Sequence, residues 1–124
     1  MRQTFTIPGK LDGMNDFIAA NRSNRYTGAQ MKRDNQWNVL IAIKKAQLQP
    51  VRNRCRILYT FFEPNMRRDM DNISGFAHKV IQDALVEAEI LDNDGWKEIS
   101  GYTDTFEVDK KNPRIEVTLV YTGA

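Results

Sequence analysis

Residues 67–94 constrain the fold of this chain more than any other stretch. From Ile73 onward the apolar residues fall at Phe76, Ala77, Val80, Ile81, Ala84, Leu85 and Ala88, the i, i+3, i+4 spacing of a helix with one buried face. Carboxylates stand at both ends, in Asp69-Met70-Asp71-Asn72 before the helix and in Asp92-Asn93-Asp94 after it. At about 100° per residue, Asn72, Lys79 and Asp83 share one polar flank. The apolar face needs a partner, and residues 51–63, which lead into the acidic motif, alternate like a strand. Val51, Asn53, Cys55, Ile57, Tyr59 and Phe61 lie on one face, and Arg52, Arg54, Arg56, Leu58, Thr60 and Phe62 on the other. The second half of this strand reads as buried on both faces. Cys55, facing inward, reads as a core filler.

The remaining elements follow from turn residues and periodicity. Residues 2–7 alternate as a short strand stopped by Pro8-Gly9. Residues 10–28, with the cluster Asn21-Arg22-Ser23-Asn24-Arg25-Tyr26, have the composition of a long loop, and Thr27 is a candidate cap for the next helix. A helix over 30–49 is marked by Trp37, Leu40, Ile41, Lys44 and Leu48, with Met31, Val39 and Ile43 widening the stripe and Pro50 closing it. Residues 96–108 and 114–121 read as two strands of a hairpin around Asp109-Lys110-Lys111-Asn112-Pro113. The expected architecture is a single α+β domain over 1–124, in the order β-α-β-α-β-β, with one mixed sheet packed with two helices.

Composition narrows the chemistry. With Cys55 the only cysteine and His78 the only histidine, a disulfide framework and the usual Cys/His zinc sites are excluded. Ser-His-Asp chemistry would have to use His78 with no nucleophile motif nearby. No apolar run approaches about 20 residues and the N-terminus lacks a signal peptide's apolar segment, so a cytoplasmic protein without a membrane span is expected. The net charge of +2 hides a split: residues 1–56 hold eleven Lys/Arg against three acids, and residues 57–124 hold seven against thirteen. A basic half and an acidic half suit a polyanion surface beside an acidic centre, although solvated surface charge has the same signature.

Two aspartates one residue apart beside two arginines are costly as a core element and reasonable as a cation site. Magnesium takes oxygen ligands and keeps several waters, so two or three carboxylates at a rigid strand-to-helix junction suffice to hold it. Arg67, Arg68 and Lys79 then suggest a phosphate at the remaining positions. Arg22 and Arg25 with Tyr26, and Lys32 and Arg33 in the next helix, are further candidates for gripping a nucleic acid. A plainer account is open as well, in which Asp71 or Asn72 caps the helix and Asp69 pairs with Arg67 or Arg68. A calcium loop fails, because setting Gly95 at its sixth position puts Ile90 and Gly101 where oxygen ligands are required.

Arg67-Arg68-Asp69-Met70-Asp71-Asn72-Ile73, then Asp83-Ala84-Leu85, then Leu91-Asp92-Asn93-Asp94, resemble the RusA-type Holliday-junction endonucleases, often encoded by prophages. Weaker similarity runs through Asn24-Arg25-Tyr26, Arg33-Asp34-Asn35 and Arg114-Ile115-Glu116-Val117-Thr118. The resemblance implies a magnesium-dependent, homodimeric enzyme of recombination and repair that cuts four-way DNA junctions, with no small-molecule cofactor. It places Asp69, Asp71 and Asp94 at the metal and Lys79 at the phosphate. Two departures stand out: the first member of the late acidic pair is Asn93, and the stretch from Asp71 to Lys79 is about one helical turn longer than the family pattern. The alternative from another class is a non-catalytic binder of branched DNA on the same scaffold.

Overall fold

The alternating segment becomes the axis of the sheet. In the computed structural model, which describes residues 1–123, the elements are β1 (Arg2–Pro8), α1 (Met14–Ser23), α2 (Arg25–Ala46), β2 (Cys55–Glu63), α3 (Met70–Glu87), β3 (Ile99–Val108) and β4 (Arg114–Tyr121). The sheet order is β1-β4-β2-β3: β4 lies antiparallel between β1 and β2, and β3 runs parallel to β2 on its other side. The described residues thus form an α+β fold with one mixed sheet and three helices.

The helix face expected for α3 is the one observed. Ile73, Phe76, Ala77, Val80, Ile81, Ala84 and Leu85 are buried, and they join Cys55, Ile57, Tyr59 and Phe61 from the inward face of β2 in a single core. Truncating a fully enclosed side chain such as Phe76 to alanine is expected to cost about 3–5 kcal/mol. Phe5 and Ile7 of β1 and Ile115, Val117 and Leu119 of β4 extend the same face. The reverse face is half-open, since Leu58, Thr60 and Phe62 are only partly covered, which corrects the expectation that this half of β2 is buried on both sides. No helix among the described residues is long and apolar enough to cross a membrane.

Three expectations fail for identifiable reasons. Residues 10–28 are mostly helical: α1 starts after Gly13, whose N–H donates to Asp16 Oδ2 at 3.0 Å, and Asn24 rather than Thr27 caps α2, accepting from Tyr26 N–H at 2.7 Å. The buried stripe of α2 is Gly28, Asn35, Val39, Ala42 and Ile43, which leaves Trp37 63% and Ile41 40% exposed. A periodicity reading weights large apolar side chains and passes over Asn35, yet Asn35 is buried because its amide is fully engaged with Asp12 and Met31. Finally, β3 and β4 are not a hairpin. Residues 109–113 carry the chain across the end of β2, where Asp109 N–H donates to Glu63 O at 2.8 Å, and Pro113 O accepts from Gly9 N–H at 2.8 Å. β4 thereby enters between β1 and β2 instead of beside β3.

Candidate functional site

The acidic motif sits where β2 and β3 end side by side and α3 begins, the carboxyl end of a parallel pair and a common position for binding sites. Glu63, the last residue of β2, is 5% exposed and is gripped by Arg68, Nε to Oε1 at 2.9 Å and Nη2 to Oε2 at 2.8 Å. Arg68 Nη1 also donates to Leu11 O at 2.9 Å. This fork ties the strand end, the segment before α1 and the entry to α3 together. Arg68, expected as a nucleic-acid contact, is therefore engaged within the fold as a structural cation.

Asp69 occupies the N-cap position of α3 with extended backbone, φ −68° and ψ 152°, but its side chain makes no capping bond. Asp71 is exposed in the first helical turn. Neither carboxylate has a hydrogen-bond or ion-pair partner among the described residues. The plainer account of this motif is thus not what the fold adopts. Asn72 is occupied elsewhere, accepting from Asn15 N–H at 2.7 Å, and a Cβ on Gly13 would stand 2.6 Å from its Oδ1, so glycine is needed for that close approach. The helix terminus favours the two carboxylates by about 0.3–1 kcal/mol each. Asp69 opens onto a cavity of about 550 Å³ lined with Glu63, Arg68, Ile73, Phe106 and Glu107, while Asp71 is not among its walls.

Asp94 is not brought to this end. It precedes β3, whose first residue Ile99 pairs with Cys55, whereas Asp69 follows Glu63, which pairs with Val108. The separation is the length of β2, on the order of 25 Å. The cause is topological: α3 carries the chain back along the sheet, and a strand parallel to β2 must start again at the far end. Asp92 stands at that end too, paired with Arg52 at 2.9 Å. Among the described residues no group of three or more His, Cys, Asp or Glu side chains converges as a metal site, so Asp69, Asp71 and Asp94 do not form one cluster within a chain.

The polar flank of α3 is divided in the same way. Lys79 is exposed and without an ion-pair partner among the described residues, but it lies eight residues beyond Asp71, about 12 Å along the axis. Asp83 is taken by Lys32 at 2.6 Å, which ties α3 to α2 and engages Lys32 in an intramolecular pair. Arg33 bonds to Gln30, Arg25 lies 5.2 Å from the Tyr26 ring centroid, and Arg22 and Arg67 are exposed. Four of the six expected nucleic-acid contacts, Arg22, Arg25, Arg33 and Arg67, therefore remain on the surface.

Two features escaped the sequence reading. His78 Nε2 lies 2.7 Å from Asp104 Oδ1, with the His78 ring 4.7 Å from Tyr59 and 4.4 Å from Tyr102. Burial pushes the Tyr59 phenol far above its ordinary pKa, with an opposing contribution from its bond to Gln82, and burial also raises the Cys55 thiol. Glu107 reaches the acidic cavity only because β3 pairs with β2, and no local pattern marks it. What the β2–α3 junction offers chemically is two uncommitted oxygen donors on a rigid turn, a donor set for a hard divalent cation. No protein-family profile matches the chain and no curated protein matches it, so the likeness to RusA-type enzymes rests on the motif residues themselves.

Proposed function

We propose that this protein is a magnesium-dependent endonuclease of branched DNA, acting on four-way junctions as a homodimer. The observation that carries this is the pair Asp69 and Asp71, held at the start of α3 with no protein partner among the described residues. Magnesium is commonly held by one or two carboxylates together with waters and substrate phosphates, so this donor set fits it. When bound, the metal would polarise a phosphoryl oxygen and lower the pKa of a water. Arg67 lies next in sequence to the Arg68 anchor and offers an exposed cation for a neighbouring phosphate. Arg22, Arg25 and Arg33 extend the positive surface over α1 and α2.

The homodimer answers two needs. Junction resolution requires two cuts, and a closed two-fold dimer supplies two acidic centres from one sequence. It also gives Asp94 a route to the metal. Separated from Asp69 by the length of its own β2, Asp94 serves the same cation only when it comes from a second copy.

The deciding experiment is a gel assay of a labelled four-way junction and a linear duplex of equal length, with and without magnesium. Paired cuts in the junction alone, and only with metal, are expected. A shifted junction that stays uncut in magnesium makes the protein a non-catalytic binder, and equal retention of junction and duplex removes the branched-DNA reading.

A further inference from the structure

At the opposite end of the sheet from Asp69, a groove of about 320 Å³ is lined by Arg54, Gln82, Asp94, Trp96 and Tyr102, among others. Trp96 is 89% exposed and Tyr102 51%. An indole left so bare forgoes the burial that usually stabilises it, and it stands here beside a second aromatic and a guanidinium. Tyr102 and Arg54 are held in place. The Tyr102 ring packs against His78 at 4.4 Å and edge-on to Tyr59 at 6.2 Å, leaving the rest of the ring to solvent. Arg54 donates from Nε to Trp96 O at 2.9 Å, so its terminal nitrogens, which have no partner among the described residues, stay at the groove. The other exposed tryptophan, Trp37, has no second aromatic in its groove, which Arg33, Gln36, Leu40 and Glu87 complete.

We infer that the groove of Trp96 and Tyr102 takes an unpaired nucleobase, stacked on aromatic surface, with the adjoining phosphate on Arg54. The chemistry selects this ligand over its neighbours. A bare phosphate has no use for two aromatic faces, and an aliphatic peptide side chain has no use for Arg54. A base offers a π-face to Trp96 or Tyr102 and brings a phosphate for Arg54. The volume admits one nucleotide and not a packed duplex, so the groove reads the unstacked base that a branch point supplies. This deepens the branched-DNA reading by naming the feature recognised, and it rests on that reading for its substrate class.

The test is run in EDTA, where cleavage plays no part. A fluorescein-labelled eight-nucleotide oligodeoxycytidylate and a blunt duplex are titrated against the full chain, and anisotropy gives both affinities. Trp96→Ala and Tyr102→Leu are each expected to weaken the oligonucleotide by about tenfold or more while changing the duplex less than about twofold, the scale of one lost base stack. Arg54→Gln should reduce the salt slope for the single strand by about 0.7. In a Trp37→Phe background the remaining Trp96 fluorescence should be quenched saturably by the same oligonucleotide. Tyr102→Leu keeps an apolar contact with His78, so a circular-dichroism melt close to that of the parent separates lost stacking from lost fold. Unchanged oligonucleotide affinity in both aromatic variants, equal losses for duplex and single strand, or a Trp96→Ala chain whose main change is in its oligomeric mass would each overturn the inference. A junction that magnesium leaves uncut overturns the nuclease alone and leaves this result standing.

Discussion

Arg68 grips Glu63 through two nearly parallel hydrogen bonds of 2.9 and 2.8 Å, with side chains only 16% and 7% exposed. The pair fixes how α3 leaves β2 and so where Asp69 and Asp71 stand. Arg68→Ala would leave Glu63 buried without its counter-charge and is expected to destabilise the fold by about 3–5 kcal/mol in urea denaturation. Arg68→Lys should recover little of this, because an ammonium cannot fork onto a carboxylate. A loss under about 1 kcal/mol for Arg68→Ala would mean that the pair does not anchor the junction.

Asp71→Asn removes a ligand charge without touching the core, since Asp71 is exposed. Junction cleavage in magnesium should fall by roughly a hundredfold or more, while junction affinity stays equal or tightens, because the metal's charge stabilisation is worth several kcal/mol. Single-turnover cleavage and a gel shift in EDTA measure the two effects. Cutting at the parent rate would remove Asp71 from the metal.

Mixed dimers test the placement of Asp94. Chains carrying Asp71→Asn and chains carrying Asp94→Asn should each be inactive alone. When refolded together they should regain nicking of one strand, because one centre of the heterodimer then combines an intact Asp71 with the partner's intact Asp94. An inactive mixture, with heterodimers verified by native mass spectrometry, would show that Asp94 does not act across the interface.

Lys79 lies about 12 Å along α3 from Asp71, which suits a flanking phosphate better than the one being cut. Lys79→Ala should leave the melting temperature within a few degrees of the parent, since the side chain is exposed and unpaired among the described residues. The slope of log K against log salt for duplex arms should fall by about 0.9, the contribution of one neutralised phosphate. An unchanged slope would detach Lys79 from the DNA.

The turn after β3 has a measurable pH signature. Arg114, hydrogen-bonded to Asp109 Oδ2 at 2.8 Å, holds the Asp109 carboxyl below its ordinary pKa, and Arg114 is itself raised, first by Glu116 and then by Asp109. A folded-state pKa below the unfolded one gives a stabilising contribution that is present above the ordinary carboxylate value and lost as pH falls through the depressed one. Carboxyl NMR titration should find Asp109 low in the parent and shifted toward the ordinary value in Arg114→Met, with the Lys111 and Asn112 N–H bonds to its carboxylate still in place. The acid side of the stability profile should lose a small shoulder in that variant. Identical Asp109 titration in the two proteins would remove the pair as its cause.

What residue order alone determined is what each segment's own periodicity encodes. The buried stripe of α3, the inward face of β2 and the α+β class were legible because apolar spacing reports which side of an element is covered, whatever covers it. The helix α1 was not legible. Half of its ten residues are polar, and its entry is fixed by contacts from distant parts of the chain, Asn72 onto Asn15 and Arg68 onto Leu11. Tertiary structure also decided which strand neighbours which. β3 pairs with β2 across more than 40 residues of sequence, and that choice alone put Glu107 beside the acidic cavity and Asp94 at the far end of the sheet. An aspartate carries the same local signal in either place. Its neighbours are set by strand order, which is a property of the whole packed sheet and leaves no trace in the residues on either side.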